Sequence, residues 1–197
     1  MNRPGILTAG VDEAGRGPLA GPVVVAAVIL NWKKPISGLN DSKMLSAAKR
    51  EALFDIIQQN ALAWSVIHVA VADIDRLNIL QATLWGMACA VKALDPYPER
   101  VLIDGNRAPD LECGEVHTIV QGDRLEPCIS AASIIAKVSR DRHMRKLHDH
   151  YPQYGFKQHK GYPTRQHLQL LAQYGPCAEH RSSFAPVRNL LQQSLFD

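Results

Sequence analysis

Long hydrophobic runs are missing. No stretch of the 197 residues approaches the roughly 20 apolar positions that a membrane-spanning helix needs, so the sequence offers no such helix. Cysteine is sparse: Cys89, Cys113, Cys128 and Cys177 stand far apart with no CxxC pair. That excludes a disulfide framework and a thiolate zinc site, and reads as free thiols in a reducing compartment. A secretion signal is lacking too, because MNRPGILTAGVDEAG carries two acids where a signal peptide would continue its hydrophobic segment. A cytoplasmic location is expected. Internal repeats and low-complexity tracts are absent, and the length suits a single domain, 1–197, whose own core needs no staple.

Charge of one sign is also in short supply, with a formal net of +3, but its distribution is uneven. Residues 1–123 hold 11 Lys/Arg against 14 Asp/Glu, whereas 124–197 hold 11 against 5 and six of the eight histidines. An acidic first part and a basic tail suit a chain that binds a cation with one region and a polyanion with the other. From charge alone, a solvated basic helix face fits equally well.

Patterning divides the chain into strands first and helices last. Residues 6–11 are an apolar run closing on Asp12-Glu13, and the glycine- and proline-rich AGRGPLAGP that follows must turn. VVVAAVIL, residues 23–30, reads as a buried strand pairing with the first. After a loop over 31–45, Ser46 has the look of an N-cap for a helix reaching about Asn60. A third strand is expected over 64–72, one long helix over 73–94, and short strands over 100–103 and 116–120. Pro127 opens a helix that runs to His150, and two shorter helices are expected over 165–173 and 187–193. The expected architecture is α/β: a mixed sheet flanked by helices, with a C-terminal helical extension from about residue 151.

The acids carry the most information. Asp12 and Glu13 end one expected strand, Asp104 ends a second and Asp123 follows a third. Ligand sites gather at strand ends in α/β sheets. Carboxylates about 4 Å apart repel by roughly 4 kcal/mol at an effective dielectric of 20. Such a cluster therefore holds protons or cations. With no His or Cys beside them, the ligands are all oxygen, which selects Mg²⁺ or Mn²⁺ over Zn²⁺. A pair of such ions suits phosphodiester cleavage. Spacing alone leaves a second account open, in which each acid caps a helix or sits on a solvated loop.

Two further segments border on chemistry. Gly15-Arg16-Gly17 allows close approach of backbone N–H groups to a phosphate or sugar, and is in any case a tight turn. Tyr162, in His159-Lys160-Gly161-Tyr162-Pro163, can lay its ring on a nucleotide or can serve as a core tyrosine.

Together the segments GVDEAGRGPLAGPVVVAAVIL, LNDSKMLS, VLIDGN, QGDRLEPCISAASIIAKVSRD, YGFKQHKGYPT and HRSSFAPV resemble the ribonuclease HII family, in that family's order and over nearly the whole chain. The resemblance implies a ribonuclease H-like fold and an endonuclease that hydrolyses the RNA strand of RNA–DNA hybrids. It also implies nicking 5′ to single ribonucleotides in duplex DNA, leaving 3′-hydroxyl and 5′-phosphate ends by two-metal catalysis. Carried over by motif, Asp12, Glu13, Asp104 and Asp123 are the metal-binding and catalytic acids. The Gly15-Arg16-Gly17 backbone and Tyr162 read the 2′-hydroxyl, which distinguishes RNA from DNA. Lys43 and Lys160 contact phosphate, and Asp141 supports the site. The departures are Met44 where the family often has Lys, and Gln121 and Arg124 in place of the KGDS pattern. Neither removes an acid. Starting at the first strand, and with Asp123 as fourth acid, the chain fits this family better than the sister ribonuclease HIII pattern.

A monomer is expected. The family resemblance allows a sliding-clamp peptide at Gln192–Phe196, for which a frayed helix end is the alternative. Two rival classes remain: a non-catalytic duplex-binding module, and a junction resolvase acting on branched DNA.

Overall fold

The computed structural model describes residues 5–193. Five strands form one mixed sheet: β1 (Thr8–Ala14), β2 (Val23–Ile29), β3 (Ala63–Val69), β4 (Arg100–Asp104) and β5 (Glu115–Ile119), in the order β3-β2-β1-β4-β5. The first three pair antiparallel, with Val11 opposite Ala27 and Ala27 opposite Ser65. β4 lies parallel to β1 on its other side, and β5 parallel to β4. All seven β2 residues are buried, which explains why VVVAAVI carries no polar alternation.

The two faces are covered by different helices. Ala9, Val11, Val23, Val25, Val101 and Ile103 pack with Ala82, Met87 and Val91 of α3 (Ile79–Lys92). Ala26 and Val28 on the other face meet α1 (Ala47–Asn60) and α5 (Pro127–His150). Because side chains alternate along a strand, Asp12 shares the α5 side with Gly10 while Glu13 follows Val11 toward α3. The Ala- and Ser-rich first half of α5 comes so close to β1 that a Cβ on Gly10 would stand 2.1 Å from the Cys128 carbonyl carbon.

Local signals set most boundaries. Ser46 does cap α1, its hydroxyl accepting from the Lys49 N–H at 3.3 Å. β1 runs later than expected, so that Asp12 and Glu13 lie inside the strand. β3 ends at Val69, and the helix expected over 73–94 is two: α2 (Val71–Leu77) and α3. The break is Asn78, at φ 67°, whose side chain caps the N–H groups of Leu80 and Gln81. A four-residue helix, α4 (Gly122–Leu125), follows β5, where the sequence pattern predicts no element. After α5, the chain turns through α6 (Phe156–His159), α7 (Arg165–Tyr174) and α8 (Ala185–Gln193). These pack back through Tyr154 and Phe156 on Met144, and through Leu171 and Val187 on Leu19. Among the described residues no helix is long and apolar enough to cross a membrane.

Candidate active site

Three chain segments bring acids together. Asp12 comes from the middle of the sheet, Asp104 from the last residue of β4, and Asp123 from α4. One carboxylate oxygen of each lies within 4.8 Å of the other two. At that separation a fully charged pair repels by about 3 kcal/mol at an effective dielectric of 20. Burial, reinforced by Glu13 and Asp104, pushes the Asp12 carboxyl well above its usual range. Burial, with Asp104 and Asp41 beside it, raises Asp123 in the same sense. The donors are all oxygen and the single Lys43 ammonium beside them offsets only part of their charge, so the set fits a hard divalent cation.

Glu13 stands apart from that trio. Its carboxylate accepts from Arg16 Nη1 at 3.3 Å, and burial still raises its pKa. It faces two cavities. One, of about 310 Å³, is lined by Asp12, Glu13, the Gly15-Arg16-Gly17 turn, Lys43 and Tyr162. The other, of about 300 Å³, continues past Asp104 and Asn106 toward α3. Larger apolar clefts beside Trp32, of about 370 and 470 Å³, touch none of these acids.

Neighbouring polar groups orient the trio. Asp12 accepts from the Glu13 N–H at 2.7 Å and from the Ser133 hydroxyl, which itself meets Ser42 Oγ at 2.9 Å. Asp104 Oδ1 is 3.4 Å from the Asp123 N–H, and the Asp123 carbonyl accepts from Ser130 Oγ at 2.7 Å. Lys43 Nζ approaches Asp123 Oδ2 to 3.8 Å. Although burial works against it, the Lys43 ammonium is held above its usual pKa by Asp41, Asp123, Asp12 and Asp104.

The turn and Tyr162 meet across the cavity. A Cβ on Gly17 would lie 3.7 Å from Tyr162 Cε1, and the half-exposed ring stands 5.9 Å from the Arg140 guanidinium carbon. Gly15 is held at φ +98° with Arg140 packed on its open face. Lys160 is not among the lining residues, and its ammonium turns back to donate to the Lys157 carbonyl. Asp141 pairs with Lys137 at 2.8 Å, and Lys137 itself lines the cavity.

Four residues at the site escaped the sequence reading. Asp41 lay within the quoted NDSK motif; it is buried and accepts from the Lys43 N–H and twice from Arg124, at 2.8 and 3.2 Å. Ser133, in the ISAAS run, carries no local signal that sets it apart from the other small residues of α5. Arg140 and Arg181 are the largest fully buried side chains among the described residues, and neither pairs with a carboxylate there. No sequence pattern marks an arginine as buried.

Residues 9–187 match the model of the family described as Ribonuclease HII. The ribonuclease HII of Bordetella pertussis is 57% identical over 182 residues, 92% of this chain and 90% of that one. Among solved structures, ribonuclease H2 from Pyrococcus horikoshii OT3 superposes with a TM-score of 0.82 at 28% identity, covering 96% of this chain and 99% of that one. The RNase HII of Archaeoglobus fulgidus, solved as a complex with PCNA, gives 0.75 at 27% identity, covering 91% and 96%.

Proposed function

The chain belongs to the ribonuclease HII family and is a hydrolase with ribonuclease H activity, and from that premise we propose that it also nicks duplex DNA 5′ to a single embedded ribonucleotide, with two divalent ions. The observation that carries the proposal is the trio Asp12, Asp104 and Asp123, mutually within 4.8 Å, of which Asp12 lines a cavity walled by Gly15-Arg16-Gly17 and Tyr162. Asp12, Asp104 and Asp123 would hold one Mg²⁺ or Mn²⁺, and Asp12 with Glu13 a second. Bound there, such ions supply an activated water and a charge for the departing 3′ oxygen.

The chain's own groups do the selecting. The Arg16 and Gly17 N–H groups donate to no protein acceptor among the described residues, and are free to bond a ribose hydroxyl. Tyr162 offers its ring to the sugar beside them. Lys43 and Arg16 place positive charge next to the scissile phosphate, offsetting the acids that would otherwise repel it. Lys160 contacts the backbone further out. The protein works as a monomer in the cytoplasm, where its four cysteines stay reduced.

The decisive experiment is one gel of labelled duplexes, with and without metal: a long hybrid, a single-ribonucleotide duplex, its all-deoxy counterpart and a four-way junction. Metal-dependent nicking of the first two alone is expected. Equal cutting of the ribo and deoxy duplexes would remove the 2′-hydroxyl reader, and cutting of the junction would favour a resolvase.

Two substitutions probe the reader. Tyr162→Ala is expected to lower turnover on the single-ribonucleotide duplex about tenfold or more, given ~1–3 kcal/mol for ring stacking on a nucleotide. Gly17 has no left-handed φ, and its open face meets nothing nearer than 3.7 Å, so Gly17→Ala leaves Tm unchanged. Its methyl group nevertheless enters the cavity, and KM rises several-fold. An unaltered KM would detach the turn from substrate.

For the tail, we propose clamp binding through Gln192–Phe196, of which 194–196 lie outside the described residues. Pull-down by a sliding clamp is expected for the full chain and not for one truncated after Leu191. Retention by both chains would remove this role.

A further inference from the structure

The HRSSF segment is the one motif that the proposed chemistry does not use. Its residues reach both halves of the proposed reader, which lie far from it in sequence. Arg181 is fully buried and spends its guanidinium on carbonyl oxygens: Nη2 donates to Gly15 at 2.7 Å, Nη1 to Arg16 at 2.9 Å, and Nε and Nη2 to Gly21 at 3.0 and 2.8 Å. In a trans peptide the N–H points opposite to the carbonyl. Fixing the Gly15 and Arg16 carbonyls against Arg181 therefore turns the N–H groups of Arg16 and Gly17 away from it. Neither of these N–H groups has a protein partner among the described residues.

His180 reaches the other half through a relay. Its Nδ1 accepts from the Cys177 N–H at 3.0 Å, so in the neutral ring the proton sits on Nε2. That Nε2 lies 3.1 Å from His167 Nε2, which must then accept. The His167 proton is left on Nδ1, which donates to the Tyr162 carbonyl at 2.9 Å. Only one arrangement of protons satisfies the whole chain. Burial keeps both rings neutral, with pKa values pushed down to about 4.

The segment is itself anchored. Ala20 bridges His180, the Arg181 N–H donates to the Leu19 carbonyl, and the Gly21 N–H to that of Glu179, both at 2.8 Å. Ser182 and Ser183 each donate twice to the Asp75 carboxylate, over 2.5–3.0 Å.

We propose that His180-Arg181 is a positioning dipeptide for ribonucleotide recognition, Arg181 aiming the turn's N–H groups and His180, through His167, setting the Tyr162 backbone opposite them. The assignment rests on the Gly15-Arg16-Gly17 and Tyr162 reader proposed above. A displacement of about 1 Å in a reacting geometry can cost ~100-fold in rate, so modest loosening of either anchor is measurable.

The test is a double-mutant cycle on kcat/KM with the single-ribonucleotide duplex. His180→Asn is expected to lose about tenfold in the wild-type background and under about twofold in a Tyr162→Ala background, because its effect passes through Tyr162. Arg181→Lys keeps the charge but loses the planar fork that spans three carbonyls; it is expected to raise KM several-fold, no further than Gly17→Ala does, and to add little to Gly17→Ala. Equal losses in both backgrounds, or none in the wild type, would overturn the proposal and leave the motif a fold anchor. Should His180→Asn or Arg181→Lys fail to fold, His167→Gln at the far end of the relay, run through the Tyr162 cycle, decides. If Tyr162→Ala and Gly17→Ala are themselves without effect, the reader is wrong and the positioning role falls with it. If they act but the cycle is additive, the positioning role alone fails.

Discussion

Asp12→Asn is expected to reduce cleavage by about 10³-fold or more while raising, not lowering, the Tm of the metal-free protein. The two effects have one cause. Asp12 sits under α5 with Asp104 and Asp123 in reach, so its charge repels theirs unless a proton or a cation offsets it. An amide of the same shape relieves that repulsion but is a poor ligand. The gain is a few degrees, at about 2–4 °C per kcal/mol for a chain of this size. The pH dependence follows from the sign of the shifts. Asp12, Glu13 and Asp123 hold their protons to higher pH in the folded chain than in the unfolded one. From near the ordinary aspartate value of 3.8 upward, the native state carries the extra protons. Metal-free stability therefore falls as pH rises through that window, and the loss is complete above the folded pKa values. A divalent ion must displace the same protons, so the Tm gained with Mg²⁺ or Mn²⁺ grows with pH and is blunted in Asp12→Asn. Near-normal turnover by Asp12→Asn or Asp104→Asn, with circular dichroism unchanged, would sink the metal-site assignment.

How far the sequence led depended on whether a signal was local. The β-branched run of β2, the Ser46 cap and Pro127 at the first turn of α5 each act within a few residues, and the elements stand where those signals put them. Asn78 is equally local, yet the apolar spacing on either side of it reads as one continuous helix. Its left-handed φ and side-chain cap separate α2 from α3. The apolar run predicts a β1 about two residues too early, because acids at its edge read as a strand end. In fact they are carried on opposite faces of its final residues.

That alternation bears on the site. Three of the four acids converge, whereas Glu13, on the opposite face of β1, stands outside the trio and shares one cavity with Asp12 and another with Asp104. The four were singled out from the sequence because charge beside an apolar run is visible there. What orients them was not, since Ser133, Asp41, Arg140 and Arg181 act over separations as large as the 166 residues between Gly15 and Arg181. Arginine is seldom buried without a carboxylate, so composition argued against it. Carbonyl oxygens turned inward by tight turns supply the acceptors instead, and burial without an anion lowers the Arg140 and Arg181 guanidiniums to about 10 and 9.

Gly10→Ala is the substitution expected to damage the fold most. Gly10 pairs with Val28 on one side and Leu102 on the other, in the middle of the sheet, so β1 cannot move to make room. The new methyl carbon would stand 2.1 Å from the Cys128 carbonyl carbon and 2.3 Å from the Ile129 nitrogen. These are backbone atoms, and no rotamer change relieves them. The first turn of α5 must lift instead, at a cost of about 3 kcal/mol or more, at the upper end for overpacking. A Tm lowered by about 6–12 °C follows. Activity should fall further than the unfolded fraction explains, because that turn carries Ser130, which holds the Asp123 carbonyl, and the next carries Ser133, which bonds Asp12. Lifting it spreads the acids, so the Tm gained with Mn²⁺ shrinks along with turnover. A Gly10→Ala protein that melts within about 2 °C of wild type and keeps its full metal response would mean that α5 does not rest on β1 at this point.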